Sequence, residues 1–262
     1  MTEHGEPGGG YALAAAGLWK RFGTKIAVAG ADLAVPAGSF TGLVGPNGAG
    51  KTTLLSMATG LLRPDFGTVA VAGRDVWSDP AAAKAALGVV SADARLFDRL
   101  TGREMLEYAG RLRGMAAAEA RERADQLLAV LDLTADARRL IVDYSTGMRK
   151  KTALAAALIH NPPVLLLDEP FEAVDPVSAE TIRRMLARYV ASGSTVLFSS
   201  HVMELVERLC DRVAIIDHGR IITTGTTAEV CAGRPLQERF IELVGGRVDG
   251  GEGLQWLGSS AR

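Results

Sequence analysis

The segment GPNGAGKT, residues 45–52, constrains the fold of this chain more than any other stretch. It fits the pattern G-x-x-x-x-G-K-[ST], follows a strand-like run, SFTGLV, and opens a helical pattern, KTTLLSMATGLL. Glycines let such a loop turn its backbone N–H groups toward phosphate oxygens, the lysine adds positive charge, and the threonine hydroxyl can bind Mg²⁺. The pattern therefore predicts a phosphate-binding loop in an α/β fold.

The residues predicted to surround the phosphates are consecutive in the chain. They are Gly45, Pro46, Asn47, Gly48, Ala49, Gly50, Lys51, Thr52 and Thr53. Lys51 is the expected cation and Thr52 the expected metal ligand. A glycine-rich turn that binds nothing is the alternative, and the flanking strand and helix patterns argue against it.

Apolar runs with strand character alternate with helical patterns along most of the chain. The runs SFTGLVG, PVLLLDEP, STVLFSSH and RVAIIDHGRII alternate with KTTLLSMATGLL, PVSAETIRRMLARYV and VMELVERLC. This alternation predicts a mostly parallel sheet flanked by helices. Upstream, GLWKRFGTKIAVAGADLAVPAG consists of short β-rich segments separated by Gly and Pro, which predicts an N-terminal antiparallel β subdomain.

One region has a helical pattern throughout. From about residue 95 to residue 160 helix follows helix, and TGRE places Thr101 and Glu104 at capping-box spacing, so an inserted α-helical subdomain is expected. We expect the folded domain to span residues 11–246. A flexible N-terminal tail, residues 1–10, and a loose C-terminal tail, residues 247–262, are expected on either side.

Charge and cysteine content limit the classes of function. The 262 residues include 29 basic and 30 acidic side chains, so the chain lacks the basic excess typical of nucleic-acid binding. Cys210 and Cys231 have no partner at metal-ligand spacing, and we expect buried thiols in a reducing compartment. No apolar run approaches the roughly 18 residues needed to span a bilayer, so any membrane role is expected to come through a partner.

Acidic and histidine residues follow two of the apolar runs. Asp168 and Glu169 end PVLLLDEP, where α/β sheets place ligand chemistry; Asp168 is expected in a Mg²⁺ shell, and Glu169 is expected to deprotonate an attacking water. His201 ends STVLFSSH and is expected at the same edge, although such a histidine is often structural. Phe22 is a candidate to stack on an adenine ring, with a core position as its alternative.

The stretch YSTGMRKK opens a further helical pattern. A serine and a glycine at a helix start leave backbone N–H groups and a partial positive charge that favour an anion. Taken in order, the aromatic, the phosphate loop, this helix start, the Asp-Glu strand end and the later histidine resemble the ATP-binding cassette (ABC) ATPases. YSTGM is similar to their LSGGQ signature, and the resemblance covers about residues 11–246.

The resemblance implies an ABC ATPase domain that binds ATP and Mg²⁺ and works with a second ATPase subunit. In the family the signature meets the terminal phosphate of ATP held by the opposite subunit, which implies roles for Ser145, Thr146, Gly147 and Met148. YSTGMRKK, LFDRLTGRE and PLQERFIELVGG look most like ABC-2-type exporter subunits. That group implies separate transmembrane permease subunits and a peripheral position at the cytoplasmic face of the membrane.

Several positions depart from the family pattern. Tyr144, Thr146 and Met148 replace the usual signature residues, and Glu172 stands where the loop before Asp175 usually has Ser. LGVVSADARLFDRLTG is similar to the segment that supplies a Gln to Mg²⁺, but Ala92 occupies that place and Asp93 follows. Either water replaces the missing oxygen or Asp93 supplies it, and we expect water.

Two other functions fit the same motifs. A soluble ABC ATPase acting on the ribosome or nucleic acid shares the nucleotide residues, but usually has a second cassette, a coiled coil or a basic surface. A regulator that binds ATP without hydrolysing it is suggested by Ala92 and Glu172, whereas Glu169 and His201 argue for hydrolysis. We expect a transporter ATPase and no nucleic-acid partner.

Overall fold

The computed structural model of the protein describes residues 10–93 and 95–245. The predicted tails, residues 1–10 and 247–262, lie outside these residues except for Gly10, so the domain limits stay a prediction. Within the described part of the chain, no helix has the length and apolar character that a membrane span requires. Cys210 and Cys231 are both buried free thiols, as predicted.

The N-terminal half combines two groups of strands with short helices. Its elements are β1 (Tyr11–Phe22), β2 (Lys25–Pro36), β3 (Phe40–Val44), α1 (Lys51–Ala58), β4 (Phe66–Val71), β5 (Arg74–Asp75), α2 (Pro80–Ala85), β6 (Leu87–Val90), α3 (Gly102–Leu112) and α4 (Ala117–Val130). The helical pattern KTTLLSMATGLL predicted a longer α1. The helix ends at Ala58 because the backbone turns at Gly60, whose φ is +71°.

The C-terminal half supplies the remaining strands of the main sheet and the helices that cover it. After a 3-10 turn (Ile141–Asp143) come α5 (Thr146–Leu158), β7 (Val164–Asp168), α6 (Pro176–Ala191), β8 (Thr195–Ser200), α7 (Met203–Leu209), β9 (Arg212–Asp217), β10 (Arg220–Thr226), α8 (Thr227–Cys231) and α9 (Leu236–Val244). RVAIIDHGRII, predicted as one extended run, is a hairpin. His218 and Gly219 both have positive φ, as a two-residue turn of this type requires.

The antiparallel subdomain is a sheet in the order β2-β1-β4-β5. The prediction of short segments separated by glycine was wrong, since β1 and β2 each run for 12 residues. Gly17 and Gly30 have positive φ but lie at shifts in the β1–β2 register. They therefore form bulges inside long strands instead of ending them.

The main sheet has the order β10-β9-β3-β8-β7-β6, and β9, β3, β8, β7 and β6 are parallel. All five residues of β3 and of β7 are buried, because helices or the antiparallel sheet cover both faces. Alternate β7 residues enter two cores: Leu165 and Leu167 pack toward α5, α6 and α7, and Leu166 packs toward α1 and the antiparallel sheet. The loops after β3, β8 and β7 thus meet at one edge.

The helical insert consists of α3, α4 and α5, as predicted. Thr101 and Glu104 form the predicted capping box at the start of α3. Arg113, at the end of α3, donates to the Leu87 carbonyl of β6 at 3.2 Å, and His160, after α5, is 3.1 Å from the same oxygen. These hydrogen bonds connect the insert to the edge of the main sheet.

Candidate active site

The phosphate loop joins the buried strand β3 to α1. Gly50 is the N-cap of α1, has φ +109°, and a Cβ there would lie 2.5 Å from the Ala27 carbonyl oxygen, so only glycine fits. No side chain caps this helix start and its first turn has no acidic residue. Its N–H groups and partial positive charge therefore suit a phosphate.

Lys51 has its ammonium group inside the loop. Its side chain is 6% exposed, and Nζ donates to the carbonyl oxygens of Gly45 at 2.8 Å and Pro46 at 3.3 Å. Nζ also lies 3.5 Å from Glu169 Oε1. A phosphate at the loop would compete with these oxygens for the same cation.

The edge of β7 and β8 holds the predicted catalytic groups. Asp168 is buried and accepts a hydrogen bond from the Ser199 hydroxyl, and the same hydroxyl accepts from the Glu169 N–H at 3.0 Å. His201 Nδ1 lies 3.1 Å from Glu169 Oε2. The Glu169 carboxylate is therefore held between Lys51 and His201, beside the phosphate loop.

A cleft of about 370 Å³ brings most of the predicted nucleotide residues together. Its lining includes these predicted residues: Phe22, Asn47, Gly48, Gly50, Lys51, Thr52, Thr53, Glu169 and His201. Phe22 is half exposed, which fits a ring that stacks on a ligand better than a core residue. Gly45 and Ala49 are buried within the loop, and the Pro46 carbonyl accepts from the Ala49 N–H.

The predicted metal ligands share a second, adjoining cavity of about 210 Å³. Thr52, Asp168 and Asp93 line it together with Ala92. A hydroxyl and one or two carboxylates are oxygen donors that suit Mg²⁺, which keeps several waters in its shell. The donor set therefore fits the ion. Asp93 also lines a cavity with Arg95, Arg149 and Lys150.

The signature residues begin α5, as predicted. Ser145 is the N-cap, and its Oγ accepts from the Met148 N–H at 3.2 Å, so the hydroxyl proton stays available to an anion. Thr146 is exposed, whereas Met148 packs its side chain against the core. Gly147 is buried, and a Cβ there would lie 2.6 Å from Asp175 Oδ2. Among the described residues, none of these four lines the cleft that contains Lys51.

The departures from the family pattern have local explanations in part. Tyr144 is buried against the start of α3 and donates to the Asp136 carbonyl at 2.7 Å, so it replaces an apolar contact and adds a hydrogen bond. Burial raises the pKa of its hydroxyl, which stays protonated and able to donate. Glu172 is exposed and lines the cleft, and Ala92 borders all three cavities around the site.

Three residues of the site were missed in the sequence. Ser199 contacts both acidic residues, Lys150 donates to the Glu169 carbonyl at 2.9 Å, and Lys25 lines the cleft. Ser199 could have been predicted, because it lies two residues before His201 in a strand that ends at the site. Lys150 and Lys25 have no sequence signal, because lysines after a helix start or in a strand are usually solvated.

The phosphate loop follows β3, the histidine follows β8 and the acidic pair lies at the end of β7, and these three strands are neighbours in the sheet. This arrangement defines a nucleotide-hydrolysing site. The family model described as ABC transporter matches residues 28–172, more than half of the chain. The chain belongs to the ABC transporter family and is one of its ATP-binding chains. This confirms the resemblance inferred from the motifs.

Individual relatives agree with this assignment. The chain is 42% identical to the daunorubicin resistance ATP-binding protein DrrA3 of Streptomyces coeruleorubidus, over 84% of this chain and 70% of that protein. It is also 42% identical to the Nod factor export ATP-binding protein I of Burkholderia lata, over 79% of this chain and 68% of that protein. The solved structure of an ATP-binding subunit of an ABC transporter has a TM-score of 0.83 at 26% identity, covering 89% of this chain and 99% of that one.

Proposed function

We propose that this chain is the ATP-hydrolysing subunit of an ABC exporter and works with separate membrane permease subunits. The observation that carries the proposal is the Glu169 carboxylate, which lies 3.1 Å from His201 Nδ1 and 3.5 Å from Lys51 Nζ beside the phosphate loop. Such a carboxylate is suited to take the proton of a water that attacks the terminal phosphate. Export is supported by relatives named for drug resistance and export.

Each group near the loop has a proposed part in hydrolysis. Lys51 and the N–H groups of the loop bind the β- and γ-phosphates, and Glu169 orients the water and accepts its proton. His201 contacts the Glu169 carboxylate through Nδ1, and its proposed place is beside the terminal phosphate. Thr52 directly, and Asp168 through water, would hold Mg²⁺, which neutralises charge on the phosphates when bound. Phe22 stacks on the adenine ring.

The site is proposed to be completed by a second copy of the chain. The Ser145 hydroxyl proton and N–H groups at the start of α5 are available to an anion. These residues nevertheless do not line the cleft of their own chain. Two chains packed head to tail place each signature against the nucleotide on the opposite phosphate loop. ATP then forms part of the interface, and its hydrolysis loosens the dimer.

The decisive experiment combines an activity measurement with isolation of partners. We expect Mg²⁺-dependent release of phosphate from ATP by the purified chain, and recovery of membrane proteins with the tagged chain from its native membranes. Recovery of ribosomes or nucleic acid instead, with salt-sensitive binding, would favour the soluble ATPase. ATP binding without phosphate release would favour the regulator. Recovery with the membrane fraction would also support the proposed peripheral association with the membrane.

Ser145→Arg is expected to abolish ATP-driven dimerisation and lower hydrolysis at least about tenfold, because the bulky side chain blocks the phosphate from the opposite chain. ATP affinity of the monomer should stay unchanged. Light scattering with and without ATP, together with a phosphate assay, measures both effects. Mixing with Lys51→Ala chains should restore at most one intact site per dimer, and full activity of Ser145→Arg alone would contradict the role of the signature.

The structure favours Ser145→Arg over a change at Gly147 as this test. A side chain at Gly147 meets Asp175 and Ser178 at the start of α6, within 2.7 Å of their oxygens. Gly147→Asp would therefore place two carboxylates in contact and displace α5 as well as block a phosphate. Its loss of activity would not identify the cause.

Asp93→Ala is expected to leave the Mg²⁺ dependence of basal hydrolysis nearly unchanged, because Mg²⁺ keeps several waters and water can replace a missing protein ligand. Ala92→Gln should hold or raise the rate, since it supplies an uncharged oxygen next to Thr52 and Asp168. Titration of Mg²⁺ at saturating ATP measures both variants. A large rise in the Mg²⁺ concentration that Asp93→Ala needs would identify Asp93 as the ligand.

A further inference from the structure

We infer that Lys150 is a positioning residue: it couples the signature helix of a chain to the Glu169 of that same chain. The inference rests on the proposed function, because it concerns how ATP bound across the dimer affects hydrolysis at the chain's own site. Lys150 lies in the first turns of α5, which Ser145 caps. Its Nζ donates to the Glu169 carbonyl oxygen at 2.9 Å and is partly buried there.

The backbone of Glu169 is in a conformation that needs such support. Its φ is +47°, in the left-handed region that residues with a side chain rarely adopt. A strained residue of this kind persists only where its surroundings hold it. Ser199 accepts the Glu169 N–H on one side and Lys150 donates to the Glu169 C=O on the other. The Glu172 N–H also donates to this carbonyl oxygen, at 3.2 Å. The three hydrogen bonds together hold the Glu169 backbone, and Lys150 supplies the one that comes from α5.

The two side chains that hydrogen-bond the Glu169 backbone belong to different parts of the fold. Ser199 is on β8, in register with Asp168 of the same rigid sheet. Lys150 belongs to the helical insert, and its helix begins with the residues proposed to meet the opposite nucleotide. A shift of α5 when that nucleotide binds or is hydrolysed therefore moves the Lys150 ammonium relative to the Glu169 carbonyl. A single side chain, that of Lys150, thus connects the helix of the signature residues to the proposed base, Glu169.

Arg149 provides a matched control. It is the adjacent cation of α5, but its Nη1 donates to Asp98 at 2.8 Å and to the Ile141 carbonyl at 2.9 Å, both within residues 95–160. Arg149→Met therefore removes a charge and two hydrogen bonds from the same helix without a contact to Glu169. Lys150→Met has a side chain of nearly the same length and lacks the ammonium group, so that its charge and its donors are both removed.

The first test compares steady-state kinetics of the full chain. Lys150→Met is expected to lower kcat by about 10- to 100-fold, the range expected when a catalytic group is misplaced, with KM within about twofold of wild type. Lys150→Arg should recover much of kcat, and Arg149→Met should stay close to wild type once corrected for folded fraction. ATP-driven dimerisation of Lys150→Met, in a Glu169→Gln background, should be retained.

Mixed dimers separate positioning from support of the signature. With one wild-type chain and one Lys51→Ala chain, at an ATP concentration that fills the wild-type loop but not the weakened one, only the wild-type chain binds ATP on its own loop. Lys150→Met in the chain that keeps Lys51 should lower the rate as in the homodimer, whereas Lys150→Met in the Lys51→Ala chain should have little effect. The reverse result, or loss of dimerisation, would overturn the inference. If Lys150→Met does not fold, Lys150→Gln is used in the same mixtures.

The inference and the proposed function fail in different ways. Absence of hydrolysis by the wild-type chain would contradict the proposed function. Normal wild-type hydrolysis with an unchanged kcat for Lys150→Met would contradict the inference alone.

Discussion

Glu169→Gln is expected to lower ATP hydrolysis by roughly 10²–10⁴-fold, the usual contribution of a general base, because an amide cannot take the proton of the attacking water. Binding should persist or tighten, since the change removes the negative charge that now lies 3.5 Å from Lys51 Nζ. A dimer holding ATP should therefore accumulate. Phosphate release, nucleotide affinity and light scattering of the variant with ATP measure the three effects.

Glu172→Gln is the appropriate control for the Glu169 experiment. Glu172 lines the same cleft and carries the same charge, but it is exposed and lies outside the Lys51–Glu169–His201 contacts. It should keep most of the wild-type rate. Turnover of Glu169→Gln at the wild-type rate would remove Glu169 from the mechanism and reopen the search for a base.

Lys51→Ala is expected to weaken ATP binding about 10- to 100-fold, because hydrogen bonds to charged groups contribute about 1.5–3 kcal/mol each. Hydrolysis should be lost as well, since the variant lacks the cation that contacts the transferred phosphate. The Glu169 carboxylate, only 12% exposed, would keep His201 as its neighbour but lose Lys51. Titration calorimetry with ATP measures the affinity, and a phosphate assay at saturating ATP measures the rate.

Lys84→Ala separates the site effect from a general loss of charge. Lys84 is exposed on α2 and does not line the cleft, so its removal should change ATP affinity by less than about twofold. An unchanged ATP affinity for Lys51→Ala would contradict the assignment of residues 45–52 as the phosphate loop. ADP should lose less affinity than ATP, because it lacks the γ-phosphate that Lys51 is proposed to contact.

The sequence by itself determined the local features of this protein. These features depend on residues that are neighbours in the sequence. They are the phosphate loop, the buried strands β3, β7 and β8, the capping box at Thr101 and the start of α5 at Ser145. Apolar runs, glycine positions and capping side chains act over a few residues, so a pattern in the sequence is sufficient to predict them. The motifs in their order also predicted the family.

Only the tertiary structure decided which of these features meet. His201 approaches Glu169 across 32 positions because β8 lies between β3 and β7, and strand order follows from packing of the whole sheet. The bulges at Gly17 and Gly30 depend on how β1 pairs with β2, and the sequence of either strand alone does not specify that pairing. Lys150 looks like a solvated lysine in the sequence. Its contact with Glu169 exists because the insert folds back onto the sheet, and such long-range packing leaves no local pattern to read.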